Sequence, residues 1–447
     1  MINFKLKIFS LFLFTNILFG AATVKLDGYL SQGPYIDTLR YVSLKVKDWN
    51  FFKDGKIRSV KVIKNDDDNK LIYKLWLQDK PAPLIIIIPG LGGNYAGIAP
   101  TALAEIFFNK GSSALIISNP FSWDFLLSAS SRITPGYTPV DALDAYNALD
   151  IVIKDAENKY GTNIFPRKIL LGYSLGALDT LFIADIDSKE KKINFDRFVA
   201  LSPPVNLLYG LNQLDHFYNI WRKWPLEKIE QTKNKAVYLI ENPTPIGTNA
   251  LPITSDEAKF AIGYTFRNIL EETIKAIHSR KFFGILNIPF KSSSRQELEK
   301  EIERISYKNY VNTFLRASYS DLFGRNFSIK KLSGNASLPA IQITLLTNQK
   351  IRIIHTTDDF LLTNYDREWL EQVMGDRLLF LNHGGHLGYF NNPTAQKYII
   401  KAIKGAKFKN ISSSKNKNII PVSNIIDSEK QIIDDFNRTV KNVDVTR

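Results

Sequence analysis

A serine between two glycines is the residue of this sequence best suited to covalent chemistry. Ser174 lies in Gly172-Tyr173-Ser174-Leu175-Gly176, after an apolar run at 168–171 and before a helix-like run at 177–182. In a tight turn from strand to helix, only glycine fits two positions before and two positions after the serine. Such a turn would hold the hydroxyl above a sheet edge, beside a helix N-terminus. Because an ordinary glycine-rich turn has the same pattern, a catalytic role requires partners elsewhere in the chain.

Residues that could activate the serine follow two predicted strands. Asp358 and Asp359 come just after the apolar run 351–355, and His386 comes just after the run 377–381. A serine hydroxyl becomes a good nucleophile when a base accepts its proton and an anion orients that base. The chain therefore contains a nucleophile, a base and an anion for acyl transfer, with either aspartate available as the anion.

The elements that must position these residues alternate along the chain. The predicted elements are a hairpin at 58–64 and 71–77, strands at 83–90, 114–118, 168–171, 195–201, 351–355 and 377–381, and helices at 102–110, 138–160 and 393–404. Thr138 is predicted to cap the second of these helices, with Pro139 at its first position. Alternating strands and helices predict an α/β fold with a mostly parallel central sheet and helices on both faces.

A long segment at 205–338 interrupts this alternation. Its signals are helical and include capping-box patterns that begin at Thr254 and Ser294. We interpret it as a helical cap inserted into the α/β core, with a separate helical domain as the alternative. The core is then divided into residues 23–204 and 339–405.

Both ends of the sequence differ from the core in composition. Residues 1–22 contain two lysines, an apolar stretch at 8–19 and a small-residue ending, a pattern typical of a secretory signal peptide cleaved after Ala22. The apolar stretch is short for a membrane span. We therefore expect an exported protein, periplasmic or secreted, without a stable membrane span after cleavage; an uncleaved anchor is the alternative. Residues 406–447 are predicted to form a flexible tail.

Composition excludes several kinds of chemistry. The 447 residues contain no cysteine, which excludes disulfides, thiolate metal sites and a cysteine nucleophile. The formal net charge is +14, but the lysines are scattered, and we expect no nucleic-acid binding. An apolar content of 45% is typical of a globular protein with a substantial core. The sequence does not indicate an oligomeric state.

Two further motifs carry a resemblance to a known family. Pro89-Gly90-Leu91-Gly92-Gly93 resembles the H-G-x-x-G oxyanion segment of serine esterases and lipases, with proline in place of the usual histidine. His383-Gly384-Gly385-His386-Leu387-Gly388 resembles their G-G-H-x-G ending. With the G-x-S-x-G turn and the order serine, aspartate, histidine, the chain resembles the α/β-hydrolase superfamily over residues 58–204 and 350–405.

This resemblance implies an α/β-hydrolase fold and assigns roles to the residues. Ser174 would be the nucleophile, His386 the base and Asp359 the acid, with Asp358 as the alternative acid. The backbone N–H groups of Leu91 and Leu175 would form the oxyanion hole. The implied activity is hydrolysis of a carboxylic ester, either a small molecule or a lipid, through an acyl-enzyme without a cofactor or metal ion.

Three other functions fit the same residues. An acyltransferase would use the same triad and deliver the acyl group to an acceptor other than water. A non-catalytic binding protein could retain the fold. A metallohydrolase could use the potential ligands His355, Asp358, Asp359, His383 and His386, although the sequence contains no H-E-x-x-H pattern.

Overall fold

A nine-stranded sheet organises the chain. The computed structural model describes residues 21–63, 69–241, 249–291, 293–323 and 328–408. The strands are β1 (Ala22–Val24), β2 (Lys56–Val60), β3 (Leu71–Trp76), β4 (Leu84–Ile88), β5 (Ser113–Ile117), β6 (Lys168–Tyr173), β7 (Arg197–Leu201), β8 (Ile351–Thr356) and β9 (Leu378–Leu381). Their order across the sheet is β1-β9-β8-β7-β6-β4-β5-β3-β2, and within it only the pairs β2–β3 and β3–β5 are antiparallel. The mostly parallel sheet predicted from the sequence is confirmed.

Helices cover both faces of this sheet. The α-helices of the described residues are α1 (Pro34–Leu39), α2 (Trp49–Asp54), α3 (Ile98–Phe108), α4 (Trp123–Ser128), α5 (Thr138–Tyr160), α6 (Leu175–Glu190), α7 (Leu207–Tyr218), α8 (Leu226–Glu241), α9 (Ser255–Arg280), α10 (Arg295–Glu303), α11 (Tyr307–Tyr310), α12 (Arg316–Phe323), α13 (Ile329–Asn335), α14 (Gln342–Thr347), α15 (Asn364–Met374) and α16 (Pro393–Ile403). Short 3₁₀ turns lie at Arg40–Ser43, Asn219–Lys223, Leu338–Ile341 and Gly375–Arg377, and a π-turn lies at Val311–Leu315. None of the helices in the described ranges is long and apolar enough to cross a bilayer.

Strand β4 shows why the central strands are continuously apolar. Its residues point alternately into two separate clusters of buried side chains: Leu84 and Ile86 belong to one, and Ile85 and Ile87 belong to the other. The first cluster contains α5 and α6, and the second contains α3 and α16. A strand covered on both faces has no position for a polar residue, so the usual alternation of polar and apolar residues is absent. The helices on both faces and the strand order of the sheet agree with the α/β-hydrolase fold expected from the sequence.

The regular elements of the segment between β7 and β8, in its described residues, are all helices joined by loops. Helices α7 and α9 lie over the end of the sheet near Ser174, and Leu211 of α7 and Leu270 of α9 belong to the same buried cluster as the strands. Asp215 of α7 binds Arg267 of α9 at 2.8 Å. Helices α7 and α9 of the cap therefore share the hydrophobic core of the sheet.

Several local features differ from the sequence-based predictions. Residues 23–57 gave few signals, yet β1 adds a parallel edge strand beside β9. Thr138 does not cap α5: it is the first residue of the helix, and its hydroxyl donates to the carbonyl of Ala336 at 2.9 Å. The capping box at Thr254 is present, whereas Ser294 makes no side-chain cap bond. The predicted signal peptide up to residue 20 and most of the predicted tail, from residue 409, lie outside the described residues.

Candidate active site

The turn between β6 and α6 places Ser174 at the carboxyl edge of the sheet. Ser174 has φ 56° and ψ −125°, a conformation that a residue with a side chain rarely adopts. A Cβ atom on Gly172 would collide with the carbonyl of Gly176, as predicted for a tight turn. A Cβ on Gly176 would instead collide with the backbone carbonyls of Ile88 and Pro89. The first glycine therefore allows the turn, and the second allows α6 to approach the end of β4.

Ser174, His386 and Asp359 form a continuous chain of hydrogen bonds. His386 Nδ1 lies 2.8 Å from Asp359 Oδ2, and His386 Nε2 lies 2.8 Å from Ser174 Oγ. Because a carboxylate only accepts, the Nδ1–H donates to Asp359, which leaves Nε2 free to accept from the serine hydroxyl. All three side chains are buried. The arrangement can move a proton from the serine to the imidazole.

The two neighbouring aspartates have different surroundings. Burial would raise the pKa of Asp359, but the charge and hydrogen bond of His386 outweigh it, so the pKa of this carboxyl lies below its usual value. Asp358 does not face the imidazole; its Oδ1 accepts from the backbone N–H of Gly385 at 3.0 Å. Burial raises the pKa of Asp358. The charge next to His386 is therefore that of Asp359.

His355 lies beside the same carboxylate and was considered from the sequence only as a metal ligand. Its Nδ1 is 3.6 Å from Asp359 Oδ2, but this nitrogen accepts from the backbone N–H of Thr356 at 3.0 Å. Its Nε2 donates to the carbonyl of Pro203 at 3.2 Å. Burial lowers the pKa of His355, which keeps the ring neutral.

These contacts bear on the metal-site alternative. Both ring nitrogens of His355 and of His386 already have partners, so neither has a lone pair free for a metal ion. Within the described ranges, no group of three or more histidine, aspartate or glutamate side chains is arranged to hold a metal ion. The other histidines lie elsewhere: His383 stacks on Tyr29, His216 is exposed, and buried His278 contacts a backbone carbonyl.

Leu91 and Leu175, whose backbone N–H groups were predicted to form the oxyanion hole, both line the cavity at Ser174. Leu175 is the first residue of α6, where backbone N–H groups have no partner within the helix. Leu91 follows β4, and both leucines line the same small cavity as Ser174 and His386. Among the described residues, neither N–H has a hydrogen-bond partner. Both N–H groups are therefore free to serve as the predicted oxyanion donors.

Asn119, which the sequence did not single out, supports the loop that carries Leu91. Its side-chain amide donates to the carbonyl of Pro89 at 3.0 Å and to Asp179 Oδ2 at 3.2 Å. Its backbone N–H donates to the carbonyl of Gly93 at 2.9 Å. Both ends of the glycine-rich loop are therefore tied to one buried asparagine.

The cavity at Ser174 is small and almost entirely apolar. Its volume is about 40 Å³, little more than the space of one water molecule. Five residues of the cap line it on one side: Leu207, Gly210, Leu211, Leu214 and Phe266. A larger groove of about 880 Å³ lies between α8, α9 and the loop that leads into α4. Phe121, in that loop, lines both this groove and the cavity at Ser174. The space beside Ser174 is therefore too small to hold a whole ester in this conformation of the cap.

Comparison with known proteins finds only distant structural resemblance to solved structures. No family model matches the sequence, and no curated protein matches it. The solved structures that resemble it include the alpha/beta hydrolase GrgF from Penicillium sp. sh18, at 13% identity over 78% of this chain and 98% of that chain, with a TM-score of 0.39.

Two others are a carboxyl esterase from Tuber melanosporum and the Pyrococcus furiosus esterase Pf2001. The first is 13% identical over 78% of this chain and 84% of its own, with a TM-score of 0.38. The second is 12% identical over 80% of this chain and 95% of its own, with a TM-score of 0.37. Likenesses this distant carry no argument about activity, which must come from the site itself.

The carboxyl of Asp179 generates a prediction about stability. Burial raises its pKa to about 8, whereas an unfolded aspartate ionises near pH 4. Between these values the folded state binds more protons than the unfolded state, so stability falls as pH rises. We expect the free energy of unfolding of Asp179→Asn, measured with urea from pH 5 to 9, to decline less steeply than that of the unmodified protein. Parallel declines would show that Asp179 ionises normally.

Proposed function

We propose that this protein is a serine hydrolase that cleaves carboxylic esters through an acyl-enzyme. The observation that supports this most strongly is the hydrogen-bonded series from Asp359 through His386 to Ser174, with both contacts at 2.8 Å. A serine on a strained turn, a base within proton-transfer distance and an anion behind the base are the parts that nucleophilic acyl transfer requires.

The first half of the proposed reaction acylates the serine. Ser174 Oγ attacks the ester carbonyl carbon while its proton passes to His386 Nε2. Asp359 stabilises the resulting imidazolium through the Nδ1–H. The N–H groups of Leu91 and Leu175 stabilise the negative charge on the carbonyl oxygen. The tetrahedral intermediate collapses, and the leaving alcohol takes the proton from Nε2.

The second half returns the enzyme to its starting state. A water molecule attacks the acyl carbon and gives its proton to His386 Nε2. Collapse of the second intermediate releases the carboxylic acid, and the proton returns to Ser174 Oγ. Each proton is thus held at a defined nitrogen, and no cofactor is needed.

The lining of the cavity indicates the substrate class. Leucine and phenylalanine side chains surround Ser174, and several of them belong to the cap. A charged acyl group would lose its hydration there without gaining a partner, which is costly. We therefore propose an uncharged ester, either a small molecule or a lipid, as the substrate.

The enclosed site also favours the acyltransferase alternative. The space beside Ser174 is about 40 Å³ and apolar, so the cap limits the access of water to an acyl-enzyme. An acceptor alcohol bound under the cap would then compete with water. The ratio of acid to transferred ester, measured with a second alcohol present, distinguishes the two activities.

Export is part of the proposal. Its support is the pattern of residues 1–22, where a basic start, a short apolar stretch and small residues occur in the order of a signal peptide. N-terminal sequencing of protein recovered outside the cytoplasm would test this. A chain that begins at Thr23 is expected, and a chain that retains residues 1–22 would favour an uncleaved anchor.

Replacement of the nucleophile gives the primary test of the activity. We expect Ser174→Ala to lower ester hydrolysis by about 10⁵-fold or more, because no other group can form the acyl-enzyme. A fluorophosphonate probe should modify Ser174 in the unmodified protein and leave the variant unlabelled. Ser202→Ala is the matched control, since Ser202 is also buried just after a strand. Labelling at another residue, or none in folded protein, would refute the proposal.

The two aspartates give a second, internal comparison. Asp359→Asn should lower kcat by roughly 10³- to 10⁴-fold, because an amide cannot stabilise the imidazolium. Asp358→Asn should change kcat only slightly, since the asparagine carbonyl can still accept from the N–H of Gly385. Steady-state kinetics of both variants on one chromogenic ester provide the measurement. A larger loss in Asp358→Asn would reverse the assignment of the acid.

A further inference from the structure

The loop that carries His386 has an unfavourable backbone conformation. Gly384, Gly385 and Leu387 all have positive φ angles, at 125°, 54° and 67°. Glycine adopts such angles freely, but a leucine in this region is disfavoured by contact between its Cβ and the backbone. A loop of this kind keeps its shape only when its surroundings impose it. The contacts that hold the loop therefore determine where the imidazole lies.

Helix α1, from the N-terminal part of the chain, supplies one of these contacts. The backbone N–H of His386 donates to Thr38 Oγ1 at 2.8 Å, and the Thr38 hydroxyl donates to the carbonyl of Pro34 at 2.6 Å. A Cβ on Gly385 would collide with the Pro34 carbonyl, and a Cβ on Gly388 would collide with the carbonyl of Asp37. The histidine loop thus rests directly on α1, at the closest approach that glycine permits.

Helix α1 is itself held in place by a buried carboxylate. Asp37 is fully buried and accepts from the Ser31 hydroxyl at 2.6 Å and from the backbone N–H of Gln32 at 2.9 Å. Arg40 lies 3.6 Å from the same carboxylate. These bonds fix the start of the helix, so that Thr38 presents its hydroxyl from a rigid support.

The other side of α1 contacts the cap. The side chain of Gln32 accepts from the backbone N–H of Leu251 at 2.7 Å and donates to its carbonyl at 3.1 Å. Ile36 packs with Leu251 and Ala258 in a small apolar cluster. The ring of Tyr35 lies edge-on to Phe217 of α7, with ring centres 5.3 Å apart. One short helix therefore joins the cap to the histidine loop.

We infer that Thr38 is a positioning residue for His386: its hydroxyl holds the main chain of the proposed base, and α1 links that position to the cap. This inference rests on the proposed function. Without the hydroxyl, the buried N–H of His386 lacks an acceptor, and the loop gains by moving toward another one. The imidazole then shifts relative to Ser174 and Asp359, and proton transfer depends steeply on that geometry.

The test compares four variants with the unmodified protein. Thr38→Val and Thr38→Ala remove the acceptor, and Thr38→Ser retains it. Thr101→Val is the matched control, because Thr101 is buried and donates in the same way to the carbonyl four residues earlier, at 2.8 Å, without touching the histidine loop. The measured quantity is the second-order rate constant for fluorophosphonate labelling of Ser174, with Tm and with kcat and KM on one ester.

We expect the fluorophosphonate probe to label Thr38→Val and Thr38→Ala about 10- to 100-fold more slowly than the unmodified protein. In ester hydrolysis, kcat should fall and KM should change little. Thr38→Ser should label within about threefold of the unmodified protein, and Thr101→Val should be unchanged. Unchanged labelling in either acceptor-free variant would overturn the inference. The inference would also be overturned if Thr38→Ser and Thr101→Val lost as much labelling rate as the acceptor-free variants, in proportion to their loss of Tm. Absence of labelling in unmodified protein would instead overturn the proposed function, and the inference with it.

Discussion

The close approach of α6 to β4 is the constraint on which the site depends. Gly176 lies against the backbone carbonyls at the end of β4, and Gly172 lies against Gly176 itself. Because β4 and β6 are neighbours in the sheet and α6 is packed in the same buried cluster, Ser174 cannot relax to a more usual φ angle without displacing a helix. The same approach brings the loop at Gly90 next to the serine. The strained turn and the position of the glycine-rich loop beside it therefore have a common origin.

Polar groups beneath the cap are tolerated because nearly every one has a specific partner. Asp359 lies between two imidazoles in different tautomers: the N–H of His386 donates to it, while the N–H of His355 donates to the carbonyl of Pro203. The carboxylate therefore has a single hydrogen-bond donor from an imidazole. An unpaired charge at this depth would be far more costly than the same charge in water. The apolar surroundings thus strengthen the hydrogen bond between Asp359 and the imidazole of His386.

The sequence predicted best those features that local chemistry determines. The glycines around Ser174 and the fully apolar β4 have a direct physical cause in close approach and in burial on both faces. Features that depend on distant residues could not be predicted. The choice between Asp358 and Asp359 requires the path of the loop, and the hydroxyl of Thr138 bonds to a carbonyl 198 residues away instead of capping its helix. Thr38 and His386 are 348 residues apart in the sequence, and no residue pattern in either segment predicts their contact.

Strand β1 has a consequence for the order in which the site is completed. It pairs with β9, and α1, which follows it, supports the histidine loop just beyond β9. During synthesis the segment from Ala22 to Thr38 emerges long before these partners. It can neither pair nor pack at the sheet edge until residues near 386 are available, and contacts of such high sequence separation form slowly. The base therefore reaches the serine only when nearly all of the described chain has been made, so a partly synthesised chain contains the nucleophile but no means to activate it.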